Sequence, residues 1–478
     1  MKPGQRVHFV GVGGIGMSGL ARVLLQLGWD VSGSDLKSSS ITHKLEEMGA
    51  RIYMGHRAEN LEYADVVVLS SAIGSTNPEV TEAYRRELTV YSRSQVLAYL
   101  MSQRFGIAIA GTHGKTTTSS MVTDMLEQCG LRPTSVIGGE VLNIGSNAQL
   151  GAGPHLVCEA DESDASFLDY HPKVAVVTNI DSDVNLSAPH FEGHNFDYEK
   201  TMKRIVDMFV DFMNQVPSDG KLLLCADSDL ILEQLSKVKA PYMTYGLSAK
   251  ADLTADHIVL DGFTSRCRVL LRGQELGPMR LQIPGRHNVQ NALAALAVGL
   301  EIGLTFEQCA TALENFGGVK RRFQILGVFG GVTVVDDYAH NPAKVKAALH
   351  AAKSGATQGR VIGVFQPHRY TRTKFLAHEF GGAFEDADVL LMTDIYSAGE
   401  VPIVGVRTEM LMELTRQHGK PTSIHHTPGQ KEVIDFLLRE CREGDVVITM
   451  GAGDVGSWGA RLCDFLVATK PHTRAAAI

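Results

Sequence analysis

Lys115 and Thr116 are the residues whose types and surroundings ask most directly for chemistry. They stand in Ala110-Gly111-Thr112-His113-Gly114-Lys115-Thr116-Thr117-Thr118. The apolar run Ile107-Ala108-Ile109 precedes them, and Met121, Val122, Met125 and Leu126 follow at helical spacing. Strand, glycine loop and helix in that order is the setting of a phosphate-binding loop. Glycines let backbone N–H groups turn onto a phosphate, and the N-terminus of the helix adds partial positive charge. Lys115 would reach a transferred phosphate as a point charge, and the Thr116 hydroxyl would sit on Mg2+. The common pattern carries about four residues between its glycines. This one carries only Thr112 and His113. An ordinary strand-to-helix turn with a surface lysine gives the same spacing.

Acids follow. Leu156-Val157-Cys158 runs into Glu159-Ala160-Asp161-Glu162-Ser163-Asp164, and Val174–Ile180 runs into Asp181-Ser182-Asp183. Carboxylates gathered at a strand end are costly unless a cation balances them. Glu159, nearest its strand end, is the expected Mg2+ ligand; a solvated acidic loop is the plainer alternative. His190 and His194 lie in a stretch with Pro189, Gly193 and aromatic residues. Either could bind metal or phosphate, or simply face solvent.

A second glycine cluster opens the chain. The strand-like run from Val7 to Val10 leads into Gly11-Val12-Gly13-Gly14-Ile15-Gly16, and Leu20, Val23 and Leu24 continue at helical spacing. Gly33-Ser34-Asp35 ends the next strand-like run, where a dinucleotide fold places its ribose-binding acid about 20 residues on. These glycines would hold a nucleotide diphosphate at the helix N-terminus; a turn needed only for helix–strand packing is the alternative. NAD and a UDP-linked substrate offer the same charged group. Val66–Leu69 form another apolar strand, ending in Ser70-Ser71.

The later clusters are polar strand ends as well. Pro284 to Asn291 open an alanine-rich helix, with Asn288 either a cap or a partner for a base. Gly317-Gly318 precede Lys320-Arg321-Arg322, a hinge with cations that could reach a phosphate. Val332–Val335 lead to Asp336 and Asp337, Val361–Phe365 to His368, Arg369 and Arg372, and Val446–Ile448 to Gly451 and Asp454. An open α/β sheet carries its site at that edge of its strands. Arg369 and Arg372, at i, i+3, would share a face if helical and could clamp a carboxylate.

The elements that must position these groups are therefore strands alternating with helices, and 478 residues allow about three such domains. We expect boundaries at 1–104, 105–318 and 319–478. With 44% hydrophobic and 21% charged residues the chain is globular. A net charge of −8 argues against a nucleic-acid binder. Seven scattered cysteines without a CxxC pair suggest reduced thiols and a cytoplasmic setting. No apolar run reaches membrane-spanning length and no secretory signal precedes the first strand.

Taken together, VGVGGIGM, SGSD, GTHGKTTT, EADESD, TNI, PGRHNVQN, RRF, DDYAHNP, FQPHRYTRT and GAGD stand in an order that resembles the Mur ligases over almost the whole chain. The resemblance is strongest to the branch that adds L-alanine to UDP-N-acetylmuramate. It implies three α/β domains: a Rossmann-like UDP-substrate domain, a central P-loop ATPase domain, and a dinucleotide-binding-like domain that closes over ATP and brings the amino acid. It also implies ligation by way of an acyl phosphate, with ATP and Mg2+, in a monomer or homodimer serving cell-wall precursor synthesis. Gly111, Thr112, His113, Gly114, Lys115, Thr116 and Thr117 would bind ATP, with His287 and Asn291 at the adenine and Arg322 and Asp337 contacting the nucleotide. Lys115, Glu159, Arg322 and Asp337 would be catalytic, and Thr116 and Glu159 would hold Mg2+. Gly11, Gly13, Gly14, Ile15, Gly16, Asp35, Ser70 and Ser71 would bind the UDP part, and His368, Arg369 and Arg372 the amino acid.

Three positions depart from the family pattern. Val184 follows Asp183 where a metal-binding histidine is usual, so His190 or His194 would have to take over its part. Asn341 replaces a second histidine, and Lys344 an acid. The rival branch adds a whole tripeptide to the same UDP-sugar; it usually carries a different arginine loop and a tyrosine within EADE. An NAD-dependent oxidoreductase built on Gly11–Gly16, and a non-catalytic ATP switch, are readings from other classes.

Overall fold

The computed structural model describes residues 4–70, 72–162, 165–181, 198–356, 359–421 and 423–469. Ser71, Ser163, Asp164, Val184, His190 and His194 lie outside them. The described residues group into two compact units: 1–256 with 268–279 and 290–316, and 257–267 with 280–289 and 317–478.

Short apolar runs, buried along β1 and β4 at its centre, build the first sheet. β1 (Arg6–Val10), β2 (Asp30–Asp35), β3 (Arg51–Met54), β4 (Val66–Leu69) and β5 (Thr89–Ser92) pair in parallel in the order β3-β2-β1-β4-β5. Helices α1 (Ile15–Gln26), α2 (Ser40–Glu47), α3 (Pro78–Arg85) and α4 (Arg93–Ser102) cover it. Strand order reverses between β1 and β4, and Val10 is in register with both Ser34 and Leu69. The Gly11 loop, Asp35 and Ser70 therefore share the carboxyl edge at a switch point, where such sheets bind ligands. α4 runs almost directly into the next strand, so Met101–Arg104 is a helix end rather than a loose linker.

The second sheet is built from β6 (Phe105–Ala110), β7 (Thr134–Val141), β8 (Ser146–Gln149), β9 (His155–Glu159), β10 (Val174–Val177), β11 (Lys221–Cys225), β12 (Tyr242–Gly246), β13 (Leu253–Asp261), β14 (Thr264–Leu271) and β15 (Gln274–Leu281). Its order is β15-β14-β13-β12-β11-β10-β6-β9-β7-β8. β6 lies centrally between β9 and β10, with Ile109 opposite Glu159 and Ala110 opposite Val177. That register brings the phosphate loop, Glu159 and Thr178 to one edge. α5 (Lys115–Gln128), α6 (Tyr198–Met213), the short α7 (Asp229–Leu232), α8 (Arg286–Glu301) and α9 (Phe306–Glu314) complete this region.

The second unit carries a sheet of β16 (Gln324–Phe329), β17 (Val332–Asp337), β18 (Val361–Phe365), β19 (Val389–Met392), β20 (Ser423–His426) and β21 (Val446–Met450), ordered β16-β17-β21-β18-β19-β20. Only β16 is antiparallel. Helices α10 (Pro342–Gly355), α11 (Tyr370–Phe375), α12 (Ala377–Gly381), α13 (Thr408–Gln417), α14 (Gln430–Glu440) and α15 (Gly456–Thr469) surround it. Apolar clusters fill both faces, one around Leu349, Phe365, Phe380 and Phe384, the other around Val364, Leu391, Trp458 and Leu462. Asp337 and Phe365 are both in register with Met450, which gathers Asp337, Gln366 and Gly451 at one carboxyl edge.

Candidate active site

The phosphate loop is braced by the strand beside it. The Asn179 side chain accepts from the His113 N–H at 2.8 Å and donates to the His113 carbonyl at 3.0 Å. The Thr178 hydroxyl donates to the same carbonyl at 2.5 Å. The Asp181 N–H donates to Thr112 Oγ1 at 3.0 Å, and His113 Nε2 lies 3.3 Å from Asp181 Oδ2. Gly111 has φ +131°, and a Cβ there would overlap the Thr178 hydroxyl. Gly114, the residue before α5, has φ +82°, and its Cβ would lie 2.6 Å from Asn291 Oδ1. Both glycines are thus required twice over, by conformation and by contact.

Lys115 points back across its own loop. Its Nζ donates to the Gly111 carbonyl at 2.5 Å and to Glu162 Oε2 at 2.6 Å. Burial would lower the ammonium pKa, but the carboxylates of Glu162, Asp161 and Glu159 hold it above its ordinary value. Thr116 Oγ1 lies 3.0 Å from both oxygens of Glu159, and the Gly138 N–H donates to Glu159 Oε2 at 2.8 Å. A hydroxyl and a carboxylate side by side at the helix N-terminus are hard oxygen donors of the kind Mg2+ takes. Among the described residues, no three His, Cys, Asp or Glu side chains form a metal-binding group. Thr117, next in the loop helix, is half-buried.

Asn291 reaches the loop from α8: Thr118 Oγ1 donates to its Oδ1 at 3.2 Å. His287 stands one helical turn earlier, and burial, with His350 adding to it, pushes its ring down to about 4 and keeps it neutral. Asn288 is not the helix cap. The helix starts at Arg286, and Asn288 Nδ2 donates back to the Pro284 carbonyl at 2.7 Å.

At the edge of the first sheet, the Gly11 and Val12 N–H groups both donate to the Ser34 carbonyl at 2.9 Å. Asp35 Oδ2 accepts from the Gly13 N–H at 2.8 Å, so one oxygen of the expected ribose acid is committed to shaping the loop. Gly14 is the extended residue before α1, Gly16 follows in its first turn, and Ile15 is half-exposed at its start. Ser70 accepts through its carbonyl from the Ile73 N–H at 3.0 Å. Behind this edge lies a buried network that sequence reading passed over. Ser34 Oγ donates to Glu79 Oε2 at 2.6 Å, His56 Nδ1 lies 3.0 Å from the same oxygen, and Asn60 donates to Oε1 at 2.5 Å. Burial pushes the Glu79 carboxyl up, yet the donors His8, Ser34 and Asn60 outweigh it and hold it down at about 2.

In the second unit the two arginines of the Lys320-Arg321-Arg322 run separate into different roles. Arg321 is structural: it donates to the Gly451 carbonyl at 2.5 Å and to Asp336 at 3.2 Å. Arg322 rests over the Tyr338 ring, 5.4 Å from its centroid. Asp337 accepts from the Phe323 N–H at 2.6 Å and the Ala339 N–H at 2.7 Å. Asn341 caps α10, accepting from the Lys344 N–H at 2.9 Å, which accounts for an asparagine there.

His368, Arg369 and Arg372 come together, though not as neighbours on a helix face. Arg369 stands just before α11 with φ +70°. Arg372 Nη1 donates to His368 Nδ1 at 2.9 Å. Burial and the charges of Arg372 and Arg369 push His368 down to about 4, so the ring is neutral, with Nδ1 accepting and its proton on Nε2. Tyr396 stacks on that ring, centroids 5.7 Å apart.

Three family models match the chain: "Mur ligase family, catalytic domain" over residues 6–105, "Mur ligase middle domain" over 109–299, and "Mur ligase, glutamate ligase domain" over 321–453. A curated UDP-N-acetylmuramate–L-alanine ligase of Geotalea daltonii is 49% identical over 97% of this chain and 98% of its own. One of Pelobacter propionicus is 49% identical over 98% and 99%. Among solved structures, the UDP-N-acetylmuramate–alanine ligase of Thermotoga maritima has a TM-score of 0.81 at 27% identity, covering 98% of this chain and 100% of that one. A murein peptide ligase of Psychrobacter arcticus has a TM-score of 0.69 at 25% identity, covering 97% and 99%.

Proposed function

The chain belongs to the Mur ligase family, and we propose that it is an ATP-dependent amide-forming ligase joining L-alanine to the lactyl carboxylate of UDP-N-acetylmuramate. The observation that carries this reading is the phosphate loop with Lys115, Thr116 and Glu159 assembled at one sheet edge, in a chain 49% identical to ligases of that name. The domains are proposed as 1–104 for the UDP substrate, 105–318 for ATP and 319–478 for the amino acid. The first sheet's edge, Gly11–Gly16 with Asp35 and Ser70, takes the UDP diphosphate rather than NAD; Ser71, outside the described residues, is assigned to the same substrate. His368, Arg369 and Arg372 take the alanine carboxylate. Arg322 and Asp337 are assigned to the nucleotide, as are His287 and Asn291.

A carboxylate is a poor electrophile toward an amine. The lactyl carboxylate oxygen attacks the γ-phosphorus of ATP, ADP leaves, and an acyl phosphate forms. The alanine amine, having given up a proton, attacks the acyl carbon; the tetrahedral intermediate expels phosphate and leaves the amide. The Lys115 ammonium, held charged by its carboxylate surroundings, stabilises the transferring phosphoryl oxygens. Thr116 and Glu159 would hold Mg2+, which supplies Lewis-acid neutralisation of the phosphate charge. The arginines orient the amine by fixing the carboxylate of its own molecule. All seven cysteines are free thiols, and no described helix is long and apolar enough to cross a membrane, which accords with a cytoplasmic setting.

The test is phosphate release with ATP, Mg2+ and UDP-N-acetylmuramate, with and without L-alanine. Release that requires alanine, with a product heavier by one alanine residue, supports the reading. Release only with the tripeptide L-alanyl-γ-D-glutamyl-meso-diaminopimelate moves the chain to the recycling branch. No release with either overturns both.

A further inference from the structure

We infer that Glu400 is a positioning residue for amino-acid capture: it sets Arg369, and through the chain around it Arg372, to receive a carboxylate. The inference rests on the assignment of His368, Arg369 and Arg372 to the amino acid.

Glu400 belongs to none of the motifs that drew attention in the sequence. It is one-fifth exposed, and both its oxygens are engaged. Oε2 accepts from the Thr371 N–H at 3.0 Å, and Oε1 accepts from the Thr371 hydroxyl at 2.7 Å. Arg369 Nη1 lies 3.8 Å from Oε1. The same loop holds the arginine segment through its backbone. The Arg369 N–H donates to the Tyr396 carbonyl at 2.8 Å, and the Tyr396 N–H donates to the Pro367 carbonyl at 2.8 Å. The loop from Tyr396 to Glu400 is thus a template against which residues 367–371 are laid.

The template has something to hold. Arg369 is a non-glycine residue at φ +70°, ψ 138°, a conformation that persists only when its surroundings impose it. Its side chain is only partly used. Nη1 faces Glu400, whereas Nε is buried with no hydrogen-bond partner in the structure. A buried guanidinium N–H without an acceptor is expensive. A ligand carboxylate, the natural partner of an arginine fork, would supply that acceptor. Arg372 is held by His368, and the charges of both arginines act on that ring, so the two stand about the same histidine. Glu400 balances part of Arg369's charge and restrains its head group from swinging toward solvent.

Steady-state kinetics of Glu400→Gln, which keeps the size and removes the charge, test this. The KM for L-alanine should rise about tenfold, while kcat and the KM values for ATP and UDP-N-acetylmuramate stay within about twofold. L-Alaninamide, an amine without a carboxylate, discriminates further. The wild-type preference for L-alanine over L-alaninamide should narrow about tenfold in Glu400→Gln, because only the carboxylate feels the arginines. Glu400→Asp should recover part of the loss. An unchanged alanine KM, or a fall in kcat with an unchanged acceptor preference, overturns the inference. If Glu400→Gln does not fold, by thermal melting, Thr371→Val decides in its place. It loses the hydroxyl bond to Glu400 and keeps the backbone one, and should raise the alanine KM about threefold; no rise overturns the inference. Wild-type protein without alanine-dependent phosphate release would instead refute the assigned reaction, so the two failures are distinct.

Discussion

Replacing Gly114 by alanine puts a number on the phosphate loop. Gly114 sits at φ +82°, where an L-residue costs about 1–2 kcal/mol. The added Cβ would also lie 2.6 Å from Asn291 Oδ1, so the amide must turn away and give up the bond it accepts from Thr118. That bond contributes about 1 kcal/mol. The total is about 2–3 kcal/mol, and it can be spent in two ways. If the loop keeps its shape the loss appears in stability; if the loop relaxes, its N–H groups misaim and the loss appears in ATP affinity. Denaturant unfolding and calorimetric ATP titration measure the two shares, and together they should reach about 2–3 kcal/mol. If the whole falls on binding, affinity drops roughly 30- to 140-fold. The double variant Gly114→Ala with Asn291→Ala removes the obstruction but not the left-handed strain, so the two changes should couple by about 1 kcal/mol. A combined loss below about 0.5 kcal/mol, or purely additive effects, would refute the reasoning.

Lys115→Ala should abolish phosphate release while UDP-substrate affinity stays within about twofold, since the glycine edge of the first sheet is built without it; joint loss in a binding titration would argue against separate sites. Thr178→Val removes the hydroxyl that donates to the His113 carbonyl and should weaken ATP binding by about 1–2 kcal/mol, read by calorimetry, without altering the far-ultraviolet circular dichroism. Glu79, held at about 2 against an ordinary 4.5, stabilises the fold fully above pH 4.5 and loses that contribution as pH falls toward 2. That amounts to about 3 kcal/mol. Glu79→Gln should therefore lower stability by about that much at pH 7 and flatten the acid limb of the pH–stability curve; an unchanged limb would mean that another group carries it.

The residues legible in the sequence were those whose chemistry is local. A glycine that needs left-handed backbone, a lysine after it and a strand before it are all contained in one stretch, so the loop and α5 could be placed without tertiary contacts. Glu159 can be singled out because it ends a strand. Glu162 stands in the same acidic run, but its pairing with Lys115 depends on how β9 lies beside β6. Thr178 and Asn179 looked like a strand end leading to acids; their grip on His113 comes from register across β6 and β10. The two arginines after Gly318 cannot be told apart by type; both lie over Tyr338, yet Arg321 alone is bound to the Gly451 carbonyl and Asp336. Glu79 is invisible for a simpler reason. A glutamate in a helix is normally solvated, and only the donors brought by β1, β2 and the segment after β3 make its burial tolerable.

Similar folds carry different acceptors within this family, and that locates where specificity must be written. The alanine ligase of Thermotoga maritima and the murein peptide ligase of Psychrobacter arcticus both superpose over nearly the whole chain, at 27% and 25% identity. Sheets, strand order and phosphate loop therefore cannot choose between a single amino acid and a peptide. The choice has to fall on groups that meet the incoming amine and its carboxylate. On the assignment proposed above, those are the ones gathered around a neutral histidine: Arg372 on its Nδ1, Tyr396 on its face, and Arg369 beside it at a left-handed φ. A carboxylate adjacent to the reacting amine can be fixed by two arginines at once, and the energy of that contact is realised as orientation. In a peptide acceptor the terminal carboxylate lies several bonds further out, beyond the reach of the same pair. On the proposed assignment, holding Arg369 rigidly is a way of measuring the distance from amine to carboxylate, and the Glu400 loop, which lays out residues 367–371, is where such a measurement can be tuned.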